Sequence, residues 1–255
     1  LHYGVEASAE ALPSERDQNF RLVTADGQQH VLKIANAAES AQMLAAENAA
    51  LKHLAPTDLV PRLIGALDGS ENVSCDGHQL RLISFLDGQP LGSLPYQSPS
   101  LLADVGRTVG RVSRALADFD HPALHRAFDW DLASAPALIE SALPALADEE
   151  LHELLTRILS QYREQTRPLL ERLPLAVIHN DANDYNLIVR DQQVLGLIDF
   201  GDMLYSQRVN EVAVAMAYAT LGKADPVAAA QQVVAGFHAE QPLEPATVSA
   251  ASAGP

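Results

Sequence analysis

The sequence predicts an α+β protein with two lobes, a small strand-rich lobe followed by a larger helical one. Short apolar runs separated by turn residues dominate the first third of the chain, which is typical of β-strands. After the breaker cluster Asp87-Gly88-Gln89-Pro90, long segments with helical periodicity take over. The 255 residues suffice for one or two such units. We expect lobes at 1–86 and 87–240, with a cleft between them.

The first lobe is predicted to contain four strands and a helix. The strands are expected at 20–24, 30–35, 63–67 and 79–86, and the helix at 39–54. The first two strands flank Asp26-Gly27, a dipeptide that favours a tight hairpin turn. Pro56 ends the helical pattern because its ring cannot continue a helix.

The second lobe is predicted to be mainly helical. Helices are expected at 100–119, 133–146, 148–173 and 207–220, and strands at 175–178, 186–190 and 194–200. The last two strands flank a turn at Asp191 and form a hairpin embedded among the helices. Residues 241–255 are mostly small and lack an amphipathic period, so we expect a tail without fixed structure. Such an end is expected of a piece of a longer polypeptide with further domains fused downstream.

The charge balance and the cysteine content exclude several classes of protein. With 17 Lys and Arg against 33 Asp and Glu, the net charge is −16, which disfavours a nucleic-acid binder because such binding needs clustered cations. The longest apolar stretch, 212–221, is about half the ~20 residues that span a membrane. Cys75 is the single cysteine, so the chain forms neither an internal disulfide nor a cysteine zinc site. The N-terminus lacks a secretory signal, so we expect a cytoplasmic protein, and its acidity is compatible with a cationic small substrate.

Residues that could carry chemistry are concentrated between 178 and 202. Asp181 and Asn186 lie in one short loop after an apolar strand, and Asp199 follows thirteen positions after Asn186 across a hairpin. The amide oxygen of Asn186 and the carboxylate of Asp199 are hard ligands that suit Mg²⁺. Asp181 is a third acid, which could accept the proton of an attacking hydroxyl group. Together these groups predict a phosphoryl-transfer site, and a polar hairpin with surface acids is the alternative.

The two motifs in this region, His-Asn-Asp-Ala-Asn-Asp-Tyr-Asn and Ile-Asp-Phe-Gly-Asp, resemble those of the aminoglycoside phosphotransferase-like kinases. This small-molecule branch of the protein-kinase fold is similar over residues 12–237, and the motifs look closest to the hydroxylysine kinase group and to kinase-like domains fused to class III aminotransferases. The resemblance implies a protein-kinase-like two-lobed fold. It also implies that Asp181 is the catalytic base and that Asn186 and Asp199 hold Mg²⁺, while His179 orders the loop and donates no proton.

The resemblance also implies a lysine and a helix acid in the first lobe. Lys33 lies within the apolar run His-Val-Leu-Lys-Ile-Ala, where a lysine is either at a sheet edge or functional. We expect it to reach the α- and β-phosphates of the nucleotide and to pair with Glu47 in the following helix. Glu47 could instead be a solvated helix acid, and Glu39 is expected to interact with the dipole at the helix start.

The nucleotide site departs from the protein-kinase pattern. The loop at 12–20 has no Gly-x-Gly-x-x-Gly motif, and Ser14 and Arg16 are its candidate phosphate contacts, with a plain solvated turn as the alternative. A Walker motif is also absent from the sequence, which disfavours P-loop chemistry. Ser84, Phe85 and Leu86 would form the hinge, whose backbone pairs with the purine edge, so ATP and GTP are not distinguished. The Phe85 ring faces either the adenine or the core.

Three acids near the motifs are candidate contacts to the acceptor. Asp184, Asp202 and Glu211 could pair with a substrate ammonium group, and a cap for the helix predicted from 207 is the alternative. His121 and His125 have the i, i+4 spacing of a zinc pair, but a proline helix start and scattered surface acids explain that pattern as well.

These observations predict a Mg²⁺-dependent small-molecule kinase. It would transfer the γ-phosphoryl group of ATP or GTP to a hydroxyl group of a small amino-bearing metabolite, such as hydroxylysine, an amino alcohol or an aminoglycoside. Protein-kinase activity is not expected, because no Ala-Pro-Glu motif or activation loop follows Asp199-Phe-Gly. A nucleotide-binding regulatory or interaction domain of a larger fusion is the alternative. Asp181 counts against it, because a pure binder needs no base.

Overall fold

Six strands that precede residue 85 form one antiparallel sheet. The computed structural model describes residues 2–14 and 16–243. The strands are β1 (Ala7–Leu12), β2 (Gln18–Thr24), β3 (Gln29–Ile34), β4 (Leu63–Ile64), β5 (Val73–Cys75) and β6 (His78–Ser84). They are ordered β1-β2-β3-β6-β4, and β5 also pairs with β6. Gly27, in the turn between β2 and β3, has a φ of +83°, which an L side chain rarely adopts.

Helix α1 (Ala41–Leu54) turns one face into the protein core. Ser40 caps its start, because the Ser40 side chain accepts a hydrogen bond of 3.0 Å from the Met43 N–H. Apolar residues such as Met43 and Leu51 are buried on this face, and Glu47 is buried with them. A buried carboxylate needs an ion-pair or hydrogen-bond partner, so we expect Glu47 to have one inside the protein.

The rest of the chain is mainly helical, with two small sheets. The helices are α2 (Pro99–Ala115), α3 (Ala135–Ala142), α4 (Glu149–Gln161), α5 (Arg167–Leu170), α6 (Val209–Thr220) and α7 (Pro226–Glu240). The strands are β7 (Gln89–Pro90), β8 (Leu175–Ile178), β9 (Leu187–Arg190), β10 (Gln193–Leu197) and β11 (Leu204–Gln207). One sheet has the order β10-β9-β7, and β11 pairs with β8 in the other. Among the described residues, no helix is both long and apolar enough to cross a membrane.

The boundary predicted after residue 86 stays a prediction, and it lies between strands of two different sheets. β6 ends at Ser84 in the first sheet, and β7 begins at Gln89 in the sheet of β9, so the predicted boundary after residue 86 lies in the connection between two sheets. Of the predicted tail, residues 241–243 are described. Leu243 is buried, and its N–H donates to Nδ1 of His238 at 3.0 Å. Residues 244–255 lie outside the described part of the chain.

Among the elements that differ from the sequence prediction are β1, the helix predicted at 148–173 and the helix predicted from 207. β1 is not predicted, because its small and acidic residues lack apolar alternation, and pairing with β2 along its whole length orders it. The helix predicted at 148–173 is interrupted by a π-helical turn at Tyr162–Thr166. The helix predicted from 207 begins at Val209, because Leu204–Gln207 pairs with β8 instead.

Helices α2 and α7 are in close contact through glycines. A Cβ on Gly106 would lie 1.9 Å from the Val233 carbonyl oxygen, and a Cβ on Gly236 would lie 1.9 Å from the Ala103 carbonyl oxygen. A side chain fits at neither position without separating the helices, because the neighbour in both cases is backbone. The sequence prediction does not include α7, whose Ala-rich pattern has little amphipathic contrast.

Replacing Gly106 by Ala should lower the free energy of unfolding by about 2 kcal/mol, because the added methyl group would overlap the Val233 carbonyl oxygen. Thermal denaturation followed by circular dichroism measures the change. Gly65→Ala is the matched control, since a Cβ at Gly65 would lie 3.9 Å from its nearest neighbour. Equal melting temperatures for the two variants would contradict the close helix contact.

Candidate active site

The loop that joins β8 to β9 carries the predicted catalytic motif. His179 begins this loop and is fully buried. Its Nε2 lies 3.0 Å from the Ile198 carbonyl oxygen, and the Asp181 N–H donates to its Nδ1 at 3.2 Å. Burial lowers the pKa of His179 to about 4, so the ring is neutral at pH 7. The neutral His179 ring therefore connects the backbone of Asp181 to the backbone of Ile198, the residue before Asp199.

Asp181 is held by two amide side chains of its own loop. Asn183 donates from Nδ2 to one carboxylate oxygen at 2.8 Å, and Asn186 donates from Nδ2 to the other at 2.7 Å. Burial raises the pKa of Asp181 to about 6, and the hydrogen bonds from Asn183 and Asn186 oppose this rise. A carboxyl group that titrates near neutrality is suited to accept a proton and to release it at pH 7.

Glu211 occupies a different place from the one the sequence predicts. It is fully buried in α6, and its Oε2 accepts hydrogen bonds from the backbone N–H groups of His179 (2.6 Å) and Asn180 (3.4 Å). Asn180 has a φ of +68°, a left-handed conformation that these bonds help to maintain. Burial raises the pKa of Glu211 to about 7. The predicted substrate contact is therefore corrected, because α6 directs this carboxylate to the loop backbone.

Asp199 and Asn186 are brought together through the backbone. The Ile198 N–H donates to the Asn186 carbonyl oxygen at 2.9 Å, so the residue before Asp199 lies against Asn186. The Asp199 side chain is about half exposed, and Nζ of Lys33 lies 3.2 Å from its Oδ1. Desolvation acts to raise the pKa of Asp199, but the Lys33 ammonium outweighs it and holds the pKa below its usual range. An ionised Asp199 and the amide oxygen of Asn186 are hard donors, and this pair fits Mg²⁺.

A metal cage made of protein ligands alone is not found. Within residues 2–14 and 16–243, no group of three or more His, Cys, Asp or Glu side chains is arranged to hold a metal ion. His125 instead pairs with Asp120, with 2.7 Å between Nε2 and Oδ1, and His121 caps the short turn Pro122–Leu124. A Mg²⁺ ion at Asn186 and Asp199 would take its remaining ligands from phosphate and water, as this ion commonly does.

Lys33 and Glu47 have partners other than those the sequence predicts. Lys33 pairs with Asp199, and Glu47 pairs with Arg81, whose Nη2 contacts the Glu47 Oε2. Arg81 lies directly opposite Lys33 on the neighbouring strands β6 and β3. The predicted Lys33–Glu47 pair is therefore corrected. A buried arginine beside the lysine takes the helix acid with one arm, and its other arm lies 3.4 Å from Asn48 Oδ1 in the same helix.

A polar cavity of about 100 Å³ lies among these charges. Its lining includes Ser14, Arg16, Lys33, Arg81, Asp181 and Asp199. The side chain of Asn19 donates to the Ser14 Oγ at 3.2 Å, and Arg16 forms an ion pair of 2.9 Å with Asp202. The polar cavity thus combines cations that suit phosphate with acids that suit a metal ion.

A larger, mainly apolar cavity of about 890 Å³ adjoins the catalytic loop. Its walls include Trp130, Leu132, Ile139, Tyr162, Met216 and Tyr218. Asp181 and Asp202 line this apolar cavity as well as the polar one. The Asp184 carboxylate lies elsewhere, against Gly92, where its Oδ2 would be 2.6 Å from an added Cβ. Of the three predicted acceptor contacts, only Asp202 lines the apolar cavity.

The predicted hinge residues lie at the end of β6, of which Ser84 is the last residue. The Ser84 N–H donates to the Arg62 carbonyl oxygen at 2.8 Å, and the Phe85 ring lies under the Arg21 guanidinium, 5.1 Å from its carbon to the ring centroid. Ser84, Phe85 and Leu86 do not line either cavity. Their contact with a purine stays a prediction.

Comparison with known families decides the class of protein. The sequence matches the family described as "Phosphotransferase enzyme family" over residues 8–247, which is most of the chain. The chain belongs to this family. The family and the enzyme class predicted from the motifs are therefore confirmed, and the protein is a small-molecule phosphotransferase.

Curated relatives of this phosphotransferase are similar over most of their length. Bovine hydroxylysine kinase is 30% identical over 278 aligned residues, which cover 95% of this chain and 73% of the bovine protein. Mouse hydroxylysine kinase is 29% identical over 265 aligned residues, covering 91% of this chain and 69% of the mouse protein. The predicted closeness to the hydroxylysine kinase group agrees with these similarities.

Solved structures of other kinases share the fold of this phosphotransferase. An amicoumacin kinase, in complex with AMP-PNP, Ca²⁺ and Ami, superposes with a TM-score of 0.72 at 15% identity, covering 96% of this chain and 76% of that one. A microcompartment-associated aminopropanol kinase superposes with a TM-score of 0.70 at 20% identity, covering 96% and 80%. The predicted protein-kinase-like α+β fold is confirmed.

Three residues at the phosphotransferase site are missing from the sequence prediction. Arg81 is a charged residue in mid-strand between leucines, the same signal that singles out Lys33. Asn183 could be predicted from its position, because it is a polar residue two positions after Asp181 in the same short loop. Arg126 donates from Nη2 to the Gly201 and Met203 carbonyl oxygens after the Asp-Phe-Gly motif, and no local pattern in the sequence indicates this contact.

Proposed function

We propose that this phosphotransferase moves the γ-phosphoryl group of ATP or GTP to a hydroxyl group of a small amino-bearing metabolite. The observation that carries the proposal is the position of Asp181, which lines both the polar and the apolar cavity. A phosphoryl group in the polar cavity and a hydroxyl group in the apolar cavity would meet at this carboxylate. A purely regulatory nucleotide-binding domain offers no reason for a base at the junction of two cavities.

Asp181 would orient the acceptor hydroxyl group and take its proton during transfer. With a pKa of about 6, it is mostly ionised at pH 7 and still basic enough to accept a proton. Asn183 and Asn186 fix the direction of its two oxygens. His179 is neutral and holds the loop, so its role is positioning. Glu211 supports the same loop by accepting hydrogen bonds from its backbone N–H groups.

The polar cavity would receive the phosphates. Asn186 and Asp199 would hold Mg²⁺, which when bound neutralises the charge of the phosphate oxygens. Lys33 lies beside Asp199 and would bind the α- and β-phosphates. Ser14 and Arg16 line the same cavity and would add a hydroxyl group and a guanidinium to the phosphate contacts.

The acceptor is proposed to be an amine of the hydroxylysine type. The relatives that are similar over two thirds or more of their length are hydroxylysine kinases, which supports this class. Asp202 places a carboxylate on the wall of the apolar cavity, where it could pair with an ammonium group. Trp130 and Tyr218 line the same cavity and offer ring faces that attract a cation.

A panel of acceptors tests the proposal. The purified protein is incubated with Mg²⁺, ATP or GTP and one of hydroxylysine, ethanolamine, choline, homoserine or an aminoglycoside, and phosphorylated acceptor is read by mass spectrometry. We expect product with hydroxylysine and none with lysine, a matched control that lacks the hydroxyl group. Binding of nucleotide without product from any acceptor would refute the acceptor class. Failure to bind nucleotide with Mg²⁺ would refute phosphoryl transfer itself.

The pH profile of kcat/KM should report the titration of Asp181. Since its pKa is about 6 and the base acts when ionised, kcat/KM should rise about tenfold per pH unit below pH 6 and level off above pH 7. Initial rates between pH 5 and pH 9 measure the profile. Glu211→Gln should leave this acidic limb in place, because the Glu211 carboxylate accepts its hydrogen bonds from the loop backbone. A limb that disappears in this variant would assign the titration to Glu211.

A further inference from the structure

We propose that Trp130 binds the ammonium group of the acceptor and that Asn180 is a positioning residue, which holds Trp130 in place relative to Asp181. The inference deepens the proposed function and rests on it, because it concerns the apolar cavity in which the acceptor would lie. It selects one of the two aromatic rings named above, and it assigns a task to the residue that precedes the base.

Trp130 carries a large ring that is not packed into the core. It is the single tryptophan of the chain, and 75% of its surface is exposed although it lines the apolar cavity. Tryptophan is highly buried on average, so an exposed indole at the wall of a cavity is unusual. An indole face also attracts a cation more strongly than a tyrosine ring does. The exposed ring is therefore suited to receive the cationic end of an acceptor.

The backbone that bears this ring is hydrogen-bonded at two points. Asn180 donates from Nδ2 to the Trp130 carbonyl oxygen at 3.2 Å. The next residue, Asp131, accepts a hydrogen bond of 2.8 Å from the Ser206 hydroxyl group. Asn180 lies in the loop after β8, and Ser206 lies in β11, which pairs with β8. The sheet that supports the catalytic loop thus also holds the wall of the apolar cavity.

Stability alone does not explain an asparagine at position 180. Its φ of +68° is a conformation that glycine adopts without steric cost and that other residues adopt less readily. Within the residues that the structure describes, the Asn180 Oδ1 is buried without a hydrogen-bond partner, which is unfavourable. Glycine would carry neither of these costs. What the asparagine adds is the bond from its Nδ2 to the Trp130 carbonyl oxygen.

This bond connects the base to the ring through adjacent residues, because Asn180 directly precedes Asp181. A small amino alcohol carries its hydroxyl and ammonium groups only a few bonds apart. An ammonium group at the indole can therefore orient the hydroxyl group only if the ring has a fixed place relative to the base. A misplacement of about 1 Å can cost about a hundredfold in rate, so a fixed connection between ring and base favours transfer.

The first test measures KM for hydroxylysine and KM for ATP in variants of Trp130. We expect Trp130→Ala to raise KM for hydroxylysine about tenfold and to leave KM for ATP within about threefold. Trp130→Phe keeps an aromatic face and should recover most of the loss. Tyr96→Ala is the matched control, because Tyr96 is 65% exposed but lines neither cavity, and it should change neither KM. An unchanged KM for hydroxylysine in Trp130→Ala would overturn the inference.

The second test asks whether Asn180 acts through Trp130. Asn180→Gly should lower kcat/KM for hydroxylysine about tenfold and leave KM for ATP within about threefold. Its melting temperature should stay within about 3 °C, because removal of the unpartnered Oδ1 offsets the lost bond. Combined with Trp130→Ala, it should add less than about a threefold loss. Losses that multiply in the double variant would refute the positioning role. Ser206→Ala loosens the same wall from β11 and should also lower kcat/KM for hydroxylysine.

Tryptophan emission tests the amine site without catalysis, because Trp130 is its single source. Hydroxylysine titrated into the protein with AMP-PNP and Mg²⁺ should change the emission saturably, and Asn180→Gly should need about tenfold more. An emission that does not respond would overturn the inference, while phosphorylated hydroxylysine in the same preparation would leave the proposed function intact. Saturable emission without phosphorylated product from any acceptor would support the amine site and refute the transfer.

Discussion

Replacing Asp181 by Asn should lower kcat for phosphoryl transfer by about 10³-fold, within the range that a positioned base contributes. The amide keeps the shape of the carboxylate but cannot accept the acceptor's proton. Affinity for AMP-PNP with Mg²⁺ should change by less than about threefold, because the cations of the polar cavity stay in place. Steady-state kinetics and calorimetry on the same preparation measure the two quantities.

Asp184→Asn is the matched control for this experiment. Asp184 lies three positions further along the same loop, but its carboxylate rests against Gly92 and it does not line the cavities. We expect its kcat to stay within about threefold of the unaltered protein, since no reacting group lies beside it. If Asp181→Asn keeps more than a tenth of kcat, Asp181 is not the base. If Asp184→Asn loses as much, the losses reflect damage to the loop, and the loss in Asp181→Asn does not identify the base.

Replacing Glu211 by Ala should lower the free energy of unfolding by about 3 kcal/mol and kcat by about a hundredfold. The backbone N–H groups of His179 and Asn180 would lose their buried acceptor. Asn180 would also lose the bond that helps to maintain its left-handed conformation, and Asp181 follows it directly. Chemical denaturation and initial rates measure the two effects.

Glu211→Gln should be far milder and serves as the control. Because burial raises the pKa of Glu211 to about 7, this group is partly neutral near physiological pH, and a neutral side chain of the same shape should be tolerated. In the described part of the chain, its Oε1 is buried without a hydrogen-bond partner, so an amide group there replaces no existing bond. Equal losses in both variants would show that the charge, and not the hydrogen-bond acceptor, supports the loop.

The grouping of Asp181, Asn186 and Asp199 can be predicted because it depends on short stretches of chain. Five positions separate Asp181 from Asn186, and one hairpin brings Asp199 back to the same end of the strands. Apolar periodicity marks both strands, so the loop between them is the natural place for polar side chains. Local pattern is sufficient for this part of the site.

The partners of Lys33 and Glu47 depend on longer-range structure. Arg81 is 48 positions beyond Lys33, and the register of β6 against β3 decides whether the two side chains meet. For Glu211, the helix itself can be predicted, but the direction of its side chain depends on where α6 begins after β11 has paired with β8. Tertiary packing determines which of several possible side-chain partners are in contact, and the local spacing of residues in the sequence does not predict it.

The pairing of β11 with β8 has a consequence for control of the enzyme. Only residues 201–203 separate Phe200 from β11, and β11 is hydrogen-bonded along its length to the strand that leads into His179. In kinases that are switched by covalent modification, the segment at this place alternates between an ordered and a disordered state. Here it is a strand of the sheet that supports the catalytic loop, so rearranging it would break its hydrogen bonds to β8. A modification that rearranged this segment would therefore disturb the support of the catalytic loop itself.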